Sequence, residues 1–408
     1  MKNEMKNEIK RIYLDYNATT PLSHEVRVFF VDELDCFANA SSLHEDGRTA
    51  ASHIEKARAQ IAALINAADP SEIIFTSGGS ESNNTVFNTM QELNASGKFA
   101  RSTLGAPPSI ITSAIEHPCV LESSKRLAAL GVKVNYAPVD ASGRIDLNAY
   151  KKLLDEMPVF VSIMTANNEI GSIQDIKTLC DMAHKKGALF HTDAVQAAGK
   201  IALNVQDLGV DYATFSAHKI YAPKGVGALF VKTGSPLKPF VLGGHQEHGS
   251  RAGTYNAPAI AAYGEAALRA KNELASYEAH TRQLRNRLRA GLLEKVPNIK
   301  INGESENPAD FDSNVLPNTL NVSFPGAEGE AILLHLDLLG IAVSTGSACA
   351  SGSLEPSHVL GAIGLGPELA HGSIRFSLGK YTTEAEIAYV IEKLPKVIAT
   401  LRSMSTQI

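Results

Sequence analysis

The stretches GALFHTDA (residues 187–194) and VDYATFSAHK (210–219) decide the fold class, because each joins a short apolar run to polar residues at its end. Similar apolar runs occur at EIIFTS (72–77), SIITS (109–113) and VFVSIMTA (159–166), with amphipathic stretches between them. Short strands that alternate with helices are typical of a parallel α/β sheet. The sequence therefore predicts an α/β protein with a mainly parallel central sheet, and ligands that bind beyond the carboxyl ends of its strands.

The length of the chain indicates two domains, because 408 residues exceed the size at which one core keeps growing. From about Gly264 a polar stretch with leucines at helical spacings runs to Pro297, which predicts one long helix. Shorter strand-like and helix-like segments follow this helix. We predict a large α/β domain over residues 25–265 and a smaller α+β domain over residues 1–24 and 266–408.

Composition and charge exclude several classes of protein. Hydrophobic residues at 44 %, charged residues at 20 % and a net charge of −5 are ordinary for a soluble globular protein. The chain has neither an apolar run of membrane-spanning length nor a dense basic stripe, so we expect no membrane and no nucleic-acid partner. The start, MKNEMKNEIKR, has no signal-peptide stretch and predicts a cytoplasmic location. The four cysteines lie far apart, which argues against a disulfide framework and against a structural metal site.

Polar residues at three predicted strand ends fit one cofactor together. TSGGSESNN (76–84) places Gly79 and Ser80 at a helix N-terminus, where backbone N–H groups bind phosphate. Asp193 ends one strand, and Lys219 follows the next. A phosphate cup, a carboxylate for a pyridine nitrogen and a Schiff-base lysine are what pyridoxal phosphate requires. Taken singly, a tight turn, a helix N-cap and a surface lysine are the simpler interpretations. Their coincidence favours the cofactor.

Nine segments carry a family resemblance: LDYNATTP, TSGGSESNN, EHPCV, ANNEIGSIQDI, HTDAVQAAGK, SAHKIYAPKGVGAL, RAGTYN, STGSACASGSLEPSHVL and SIRFSLG. In this order they resemble the motif series of the cysteine desulfurases, in the NifS/IscS branch of the class V aminotransferase superfamily. The match runs from about residue 12 to residue 380. The resemblance implies fold type I of the pyridoxal-phosphate enzymes, a large cofactor-binding domain, L-cysteine as the substrate and a homodimer.

The resemblance also implies a role for each residue around the cofactor ring. Lys219 would bind pyridoxal 5'-phosphate covalently and act as the base, and Asp193 would face the pyridine nitrogen. His117 would stack on the ring and move protons. Asn168 and Gln196 would contact the phenolic oxygen, and Asn168 would also contact the substrate.

A second group of residues would bind the charged ends of the cofactor and the substrate. By the resemblance, Arg375 would hold the substrate carboxylate, a task suited to a bidentate guanidinium. The phosphate would be bound by Gly79, Ser80, Ser216, His218 and, from the second subunit of a dimer, Thr254.

Several positions depart from the family pattern without removing a reactive group. His245 and His248 lie three residues apart, but no third ligand follows at a fixed spacing, so we interpret them as hydrogen-bonding loop residues and predict no metal site. The other departures are Ser80 for threonine, Ala222 for glycine, Tyr255 for glutamate and Ala40 for proline.

The stretch STGSACASGS (344–353) surrounds Cys349 with small residues. Such neighbours lower the cost of moving the backbone and leave a thiol accessible. The resemblance implies that the Cys349 thiolate takes the sulfur from the substrate, becomes a persulfide and passes the sulfur to an iron–sulfur scaffold or a sulfur-carrier protein. Cys36, Cys119 and Cys180 fit the ordinary fate of a small buried hydrophobe, with a secondary role for Cys119 left open.

Two other kinds of function stay open on the sequence alone. An aminotransferase or lyase of the same superfamily, including a selenocysteine lyase, would keep the cofactor, and a non-catalytic scaffold would keep only the fold. Cys349 argues against the aminotransferase. The scaffold is disfavoured by the joint presence of Lys219, Asp193, His117, Arg375 and Cys349.

Overall fold

The computed structural model of the protein describes residues 11–98, 108–304, 311–345 and 356–404. Up to residue 231 the elements are, in chain order, β1 (Ile12–Tyr13), α1 (His24–Glu33), α2 (Glu45–Ile65), β2 (Ile73–Thr76), α3 (Gly79–Ala95), β3 (Ser109–Ser113), α4 (Pro118–Ala129), β4 (Lys133–Ala137), α5 (Leu147–Leu154), β5 (Phe160–Ser162), α6 (Ile176–Lys185), β6 (Leu189–Asp193), α7 (Val205–Leu208), β7 (Tyr212–Ser216) and β8 (Gly227–Val231). From residue 257 they are α8 (Ala257–Lys295), β9 (Lys300–Asn302), α9 (Phe311–Asn314), β10 (Thr319–Ser323), α10 (Gly329–Leu338), β11 (Ile341–Ala342), β12 (Ser344–Thr345), α11 (His358–Ala362), α12 (Pro367–His371), β13 (Ser373–Ser377) and α13 (Glu384–Met404).

The chain divides into two compact units. The larger unit comprises Thr19–Asn168 and Ser172–Ala275, and the smaller comprises Met1–Ala18, Glu169–Gly171 and Ser276–Ile408. Helix α8, 39 residues long, is the long helix that the leucine spacing predicts, and it contributes residues to both units. That each unit folds as an independent domain, with the boundaries expected from the sequence, stays a prediction.

A seven-stranded sheet forms the centre of the larger unit as described, in the order β2-β8-β7-β6-β5-β3-β4. The five strands from β7 to β4 pair in parallel, and β8 runs antiparallel to both of its neighbours. Every residue of β7 is buried, as is typical of a strand covered on both faces. The predicted α/β class with a mainly parallel sheet is therefore confirmed.

The smaller unit has its own sheet, with the order β12-β13-β10-β9 and antiparallel pairing throughout the described strands. Its apolar core includes Leu284, Leu288 and Leu292 from α8, together with residues of β10, β13 and α13. A capping box opens α13: Glu386 N–H donates to Thr383 Oγ1 at 3.3 Å and Thr383 N–H donates to the Glu386 carboxylate at 2.8 Å. None of the helices in the described ranges is long and apolar enough to cross a membrane.

Candidate active site

The carboxyl ends of β6 and β7 place two predicted site residues side by side. Asp193 is the last residue of β6 and pairs in register with Thr214, two residues before Ser216 at the end of β7. A single 3₁₀ turn, Ala217–Lys219, then carries Lys219. The chain reverses at these strand ends, and the polar side chains that follow them share one edge of the sheet.

The N-terminus of α3 approaches the same edge. Gly78 caps this helix with φ 156° and ψ 178°, a region that is almost restricted to glycine, and no side chain caps the helix. A Cβ on Gly79 would lie 2.9 Å from Val195 Cγ2 and 3.7 Å from Ser216 Cβ, so glycine allows the close approach. The first N–H groups of α3 are therefore available to an anion beside Ser216.

The Asp193 carboxylate is 6 % exposed and forms no ion pair with a described lysine or arginine. Asn83 Nδ2 donates to one carboxylate oxygen at 2.7 Å, and the Val195 N–H donates to the other at 3.0 Å. The buried Asn83 Oδ1 has no hydrogen-bond partner among the described residues. A buried carboxylate without a cation is costly, so this site fits a positively charged ligand group such as a protonated pyridine nitrogen.

Cys119 connects His117 to Asn83, the residue that donates to Asp193. The Cys119 Sγ lies 3.0 Å from His117 Nδ1 and accepts a hydrogen bond from Asn83 Nδ2 at 3.1 Å. The Cys119 N–H also donates to His117 Nδ1, which makes His117 the N-cap of α4. Since Nδ1 accepts, the neutral imidazole carries its hydrogen on Nε2. Burial, reinforced by Asp193, raises the pKa of the Cys119 thiol to about 12, so this thiol stays protonated.

Glu116 is a fully buried carboxyl group immediately before His117. Its Oε1 accepts hydrogen bonds from Ser113 Oγ at 2.6 Å and from the Met164 N–H at 2.8 Å. Burial raises the pKa of Glu116 to about 8, against the lowering effect of these hydrogen bonds, and the Asp193 charge raises it further. Glu116 is therefore mainly protonated at neutral pH, and it fixes the backbone at the start of the His117 segment.

His218 lies in a positively charged environment. Burial lowers its pKa to about 4, and Lys219, Lys224 and Lys200 lower it further. The ring is thus neutral at pH 7, and its Nδ1 lies 3.0 Å from Thr19 Oγ1. Neutral imidazole can donate one hydrogen bond to a phosphate oxygen while the neighbouring lysines supply the charge.

Backbone contacts hold the loop that carries Lys219. Thr20 Oγ1 donates to the His218 carbonyl at 2.9 Å and accepts from the Tyr221 N–H at 2.8 Å. Tyr221 has φ 67°, a left-handed conformation that costs energy for a side chain of this size. The following Ala222, one of the departures from the family pattern, is buried. The backbone strain of this loop therefore falls at Tyr221, the residue before that substitution.

Gln196 and Asn168 also lie in the larger unit. Gln196 is buried, and its Oε1 accepts a hydrogen bond from the buried Lys200 at 2.5 Å, whereas Asn168 is partly exposed. The Lys200 ammonium orients the Gln196 amide so that its NH₂ group faces away from the lysine. This orientation suits donation to an oxygen of a ligand.

The loop with Thr254 is anchored by a buried ion pair. Arg58 donates to both carboxylate oxygens of Glu247, at 2.8 and 2.9 Å, and the Tyr255 hydroxyl accepts from the Glu247 N–H at 2.8 Å. Tyr255 therefore has a structural contact in this chain. Thr254 itself is exposed, as are the two histidines at positions 245 and 248.

In the smaller unit, Arg375 lies within β13 and is almost fully buried. Its Nη2 donates to Asp15 Oδ1 at 2.7 Å. Nearby, Ser357 Oγ donates to Glu169 at 2.5 Å, and burial raises the pKa of Glu169 to about 7 while Ser357 and Arg375 lower it. A buried guanidinium held by one carboxylate is a suitable anchor for a second one.

Comparison with known proteins identifies the family. The model of the aminotransferase class-V family matches residues 12–390. The chain belongs to the class-V aminotransferase family. It is 45 % identical to a cysteine desulfurase of Gluconacetobacter diazotrophicus over 399 residues, which cover 97 % of this chain and 95 % of that protein. The cysteine desulfurase IscS of Dictyoglomus turgidum is 46 % identical over 397 residues, covering 97 % and 96 %. A solved NifS-like protein aligns with a TM-score of 0.86 at 38 % identity, covering 96 % of this chain and 100 % of that one.

The predicted family and fold type are thus confirmed. The structure brings Gly79, Asp193 and Ser216 to one edge of the sheet. The roles assigned to them, and to the other predicted residues, stay predictions. Cys349 lies outside the described residues.

The sequence reasoning missed two contributors to the larger unit's site, Asn83 and Glu116, which are both fully buried. A third contributor is Cys119, for which the sequence leaves a secondary role open. Asn83 stands in the TSGGSESNN motif, and the other two flank His117 in EHPCV. A polar residue on the inner face of α3, four residues after Gly79, was the available signal.

Proposed function

We propose that the protein is a cysteine desulfurase that uses pyridoxal 5'-phosphate to convert L-cysteine to L-alanine and passes the sulfur to an acceptor. The observation that carries this proposal is the buried Asp193 carboxylate at the end of β6, beside the free N-terminus of α3. It provides the negative charge for a pyridine nitrogen next to a site for phosphate. Relatives named cysteine desulfurase, similar along nearly the whole chain, support the choice of reaction.

Pyridoxal phosphate, when bound, supplies an electron sink that lets a bond at the substrate α-carbon break. Asp193 would keep the pyridine nitrogen protonated, and His117 would lie against the ring with its hydrogen on Nε2. Lys219 would attach the cofactor and, once substrate displaces it, carry a proton to or from the α-carbon.

The phosphate would be held by the α3 amides with Ser80, Ser216 and His218, and by Thr254 of a second subunit. Asn168 and the Gln196 NH₂ group would contact the ring's phenolic oxygen. The lysines around His218 supply the charge that attracts the phosphate.

Arg375 would bind the substrate carboxylate, held in place by its hydrogen bond to Asp15. The Cys349 thiolate would then attack the substrate sulfur: an S–S bond forms, the C–S bond breaks, and its electron pair passes to the carbon fragment, which leaves as alanine after protonation. Cys349 keeps the sulfur as a persulfide for an iron–sulfur scaffold or a carrier protein.

We further propose a cytoplasmic homodimer. Three large apolar side chains of the larger unit, Phe37, Leu43 and Leu242, are at least 80 % exposed in the single chain, so burial against a second subunit would be favourable for them. Thr254 is also exposed, as a residue contributed to a second subunit would be. Sedimentation or light scattering at micromolar concentration should give twice the mass of one chain.

The activity test measures alanine and sulfide released from L-cysteine by the holoenzyme with a thiol reductant. We expect equal amounts of both products, none with Cys349→Ala, and unchanged rates with Cys36→Ser as the matched thiol control. Persulfide should be found on the peptide that contains Cys349 when the reductant is omitted.

Other outcomes would redirect the assignment. Full activity in Cys349→Ala would remove the thiol-transfer mechanism. Keto acid in place of alanine would indicate an aminotransferase, and turnover of selenocysteine alone would indicate a lyase. Absence of any turnover with the cofactor bound would contradict the proposal altogether.

A further inference from the structure

Three side chains with metal-binding groups, none of them assigned to the proposed active site, meet within the larger unit. Glu33 is the last residue of α1, Cys36 follows it by three positions, and His53 lies in α2. One ligand atom of each side chain lies within 4.8 Å of the other two, and all three residues are partly buried. Their spacing along the chain matches no metal motif, which is why the sequence predicts no site here.

Backbone and side-chain contacts hold the cluster in place. The Cys36 N–H donates to the Glu33 carbonyl at 3.0 Å, and this turn returns the thiol to the end of α1. His53 Nδ1 lies 2.8 Å from Glu33 Oε2. The carboxylate is 11 % exposed and the imidazole 35 % exposed, so a hydrated ion can still reach the cluster.

We propose that Glu33, Cys36 and His53 form a binding site for Zn²⁺ or a similar borderline divalent metal. Thiolate, imidazole and carboxylate are the ligands that zinc prefers, and three protein ligands leave a fourth position for water or another group. Mg²⁺ and Ca²⁺ require oxygen ligands and do not suit this set. On binding, the Zn–S bond forms and the thiol proton is released to solvent, with no change of oxidation state.

The local charges favour a cation. The carboxylates of Glu33 and Asp46 both act electrostatically on the Cys36 side chain. These carboxylates attract a divalent ion, and a bound ion would stabilise the thiolate. The other titratable groups at this end of α2 are His44, whose Nδ1 lies 3.9 Å from Asp46, Glu45 and Arg48, and all three are exposed.

A second group of one carboxylate, one thiol and one imidazole provides a matched control. His184 Nε2 lies 2.9 Å from Asp211 Oδ2, with exposed fractions of 33 % and 11 %. Cys180 Sγ, however, lies 3.7 Å from both nitrogens of the His184 ring, so it faces the ring rather than a nitrogen lone pair. A metal cannot bind that imidazole and that thiol together without rearrangement.

The test measures Zn²⁺ binding by equilibrium dialysis and elemental analysis of the holoenzyme. All proteins carry Cys349→Ala, so that the thiol of that stretch adds no binding. We expect one zinc ion to bind per chain. Cys36→Ser and His53→Gln should each weaken its binding about tenfold or more. Glu33→Gln, which keeps the shape and the hydrogen bond to His53, should weaken binding several-fold. His184→Gln and Cys180→Ser should change it less than twofold, and Mg²⁺ should not compete.

Alkylation gives a second readout that does not depend on a variant's folding. Zn²⁺ should slow the reaction of Cys36 with iodoacetamide, as followed by peptide mapping, and a chelator should restore the rate. Equal zinc affinity in the Cys36→Ser and reference proteins, equal loss in His184→Gln, or alkylation of Cys36 that Zn²⁺ leaves unchanged would each overturn the proposal. None of these results depends on desulfurase activity.

Discussion

Replacement of Cys119 by alanine tests whether the contacts around His117 are functional. The thiol lies 3.0 Å from His117 Nδ1 and 3.1 Å from Asn83 Nδ2. Asn83 in turn donates to Asp193. Within the larger unit, one sulfur atom therefore links His117, proposed to lie against the ring, to the amide that donates to Asp193, proposed to face the pyridine nitrogen.

The expected cost follows from the hydrogen bonds that are lost. In Cys119→Ala, one N–H of the fully buried Asn83 amide loses its acceptor, which costs about 1–3 kcal/mol. His117 Nδ1 loses the contact with the sulfur and keeps the longer hydrogen bond from the backbone N–H at 3.3 Å. About 1 kcal/mol of lost orientation for the imidazole corresponds to roughly a fivefold lower kcat. Cys119→Ser keeps a donor and an acceptor of smaller size, so it should cost less than about 1 kcal/mol.

The assays are thermal unfolding of the holoenzyme and steady-state alanine release. For a unit of this size we expect Cys119→Ala to lower Tm by about 2–12 °C and Cys119→Ser by less. The kcat of the alanine variant should fall about fivefold with little change in KM, and the serine variant should recover most of it. If both variants match the unmodified protein in Tm and kcat, the Cys119 side chain contributes only packing, and its hydrogen bonds do not position His117.

Three further predictions concern buried charges. The pKa of Glu116 is about 8 in the folded chain, against an ordinary 4.5. Between these pH values the unfolded chain binds fewer protons than the folded chain. The free energy of unfolding should therefore fall as the pH rises, by up to about 1.4 kcal/mol per pH unit. Glu116→Gln should flatten this decline in Tm measured against pH, and an unchanged slope would contradict it. Glu247→Gln should reduce the free energy of unfolding in urea by about 3 kcal/mol, because it leaves a buried arginine with a weaker partner. Glu55→Gln removes the 63 % exposed partner of the same arginine and should cost less than about 1 kcal/mol. Arg375→Lys should raise the KM for L-cysteine about tenfold or more at similar stability, since lysine cannot make two parallel hydrogen bonds; an unchanged KM would exclude Arg375 from substrate binding.

Five strands of the central sheet, β2, β3, β5, β6 and β7, were predictable from the sequence because each lies in a short apolar run. The buried strands β6 and β7 coincide with GALFHTDA and VDYATFSAHK. The antiparallel direction of β8 was not predictable, since a fully buried strand has the same apolar pattern whether it pairs in parallel or antiparallel. The pairing of β1 with β11 was equally hidden, because two strands of two residues each carry no periodic pattern.

The site was predictable where motif residues themselves face the sheet edge, as Asp193 and Gly79 do. Contacts between side chains from distant motifs were not. The hydrogen bond from Thr20 to the His218 carbonyl joins residues 198 positions apart, and the ion pair of Arg58 with Glu247 joins residues 189 positions apart. Such contacts depend on tertiary packing, which residue types and local spacing do not encode in a readable form.

The three cysteine thiols that the structure describes, those of Cys36, Cys119 and Cys180, are poorly suited to carry the sulfur. Burial is the main cause that raises the pKa of each of the three: Cys119 and Cys180 reach about 12, and the value for Cys36 also rises. At neutral pH a thiol with a pKa of 12 is ionised in roughly one molecule in 10⁵, and the thiolate is the nucleophile. Transfer of sulfur from cysteine requires a thiolate that can also move to an acceptor. Burial therefore keeps Cys119 and Cys180 from meeting the first condition and disfavours the Cys36 thiolate, whereas the small neighbours of Cys349 in the sequence suit an accessible thiol that can move, so the proposed reaction depends on Cys349.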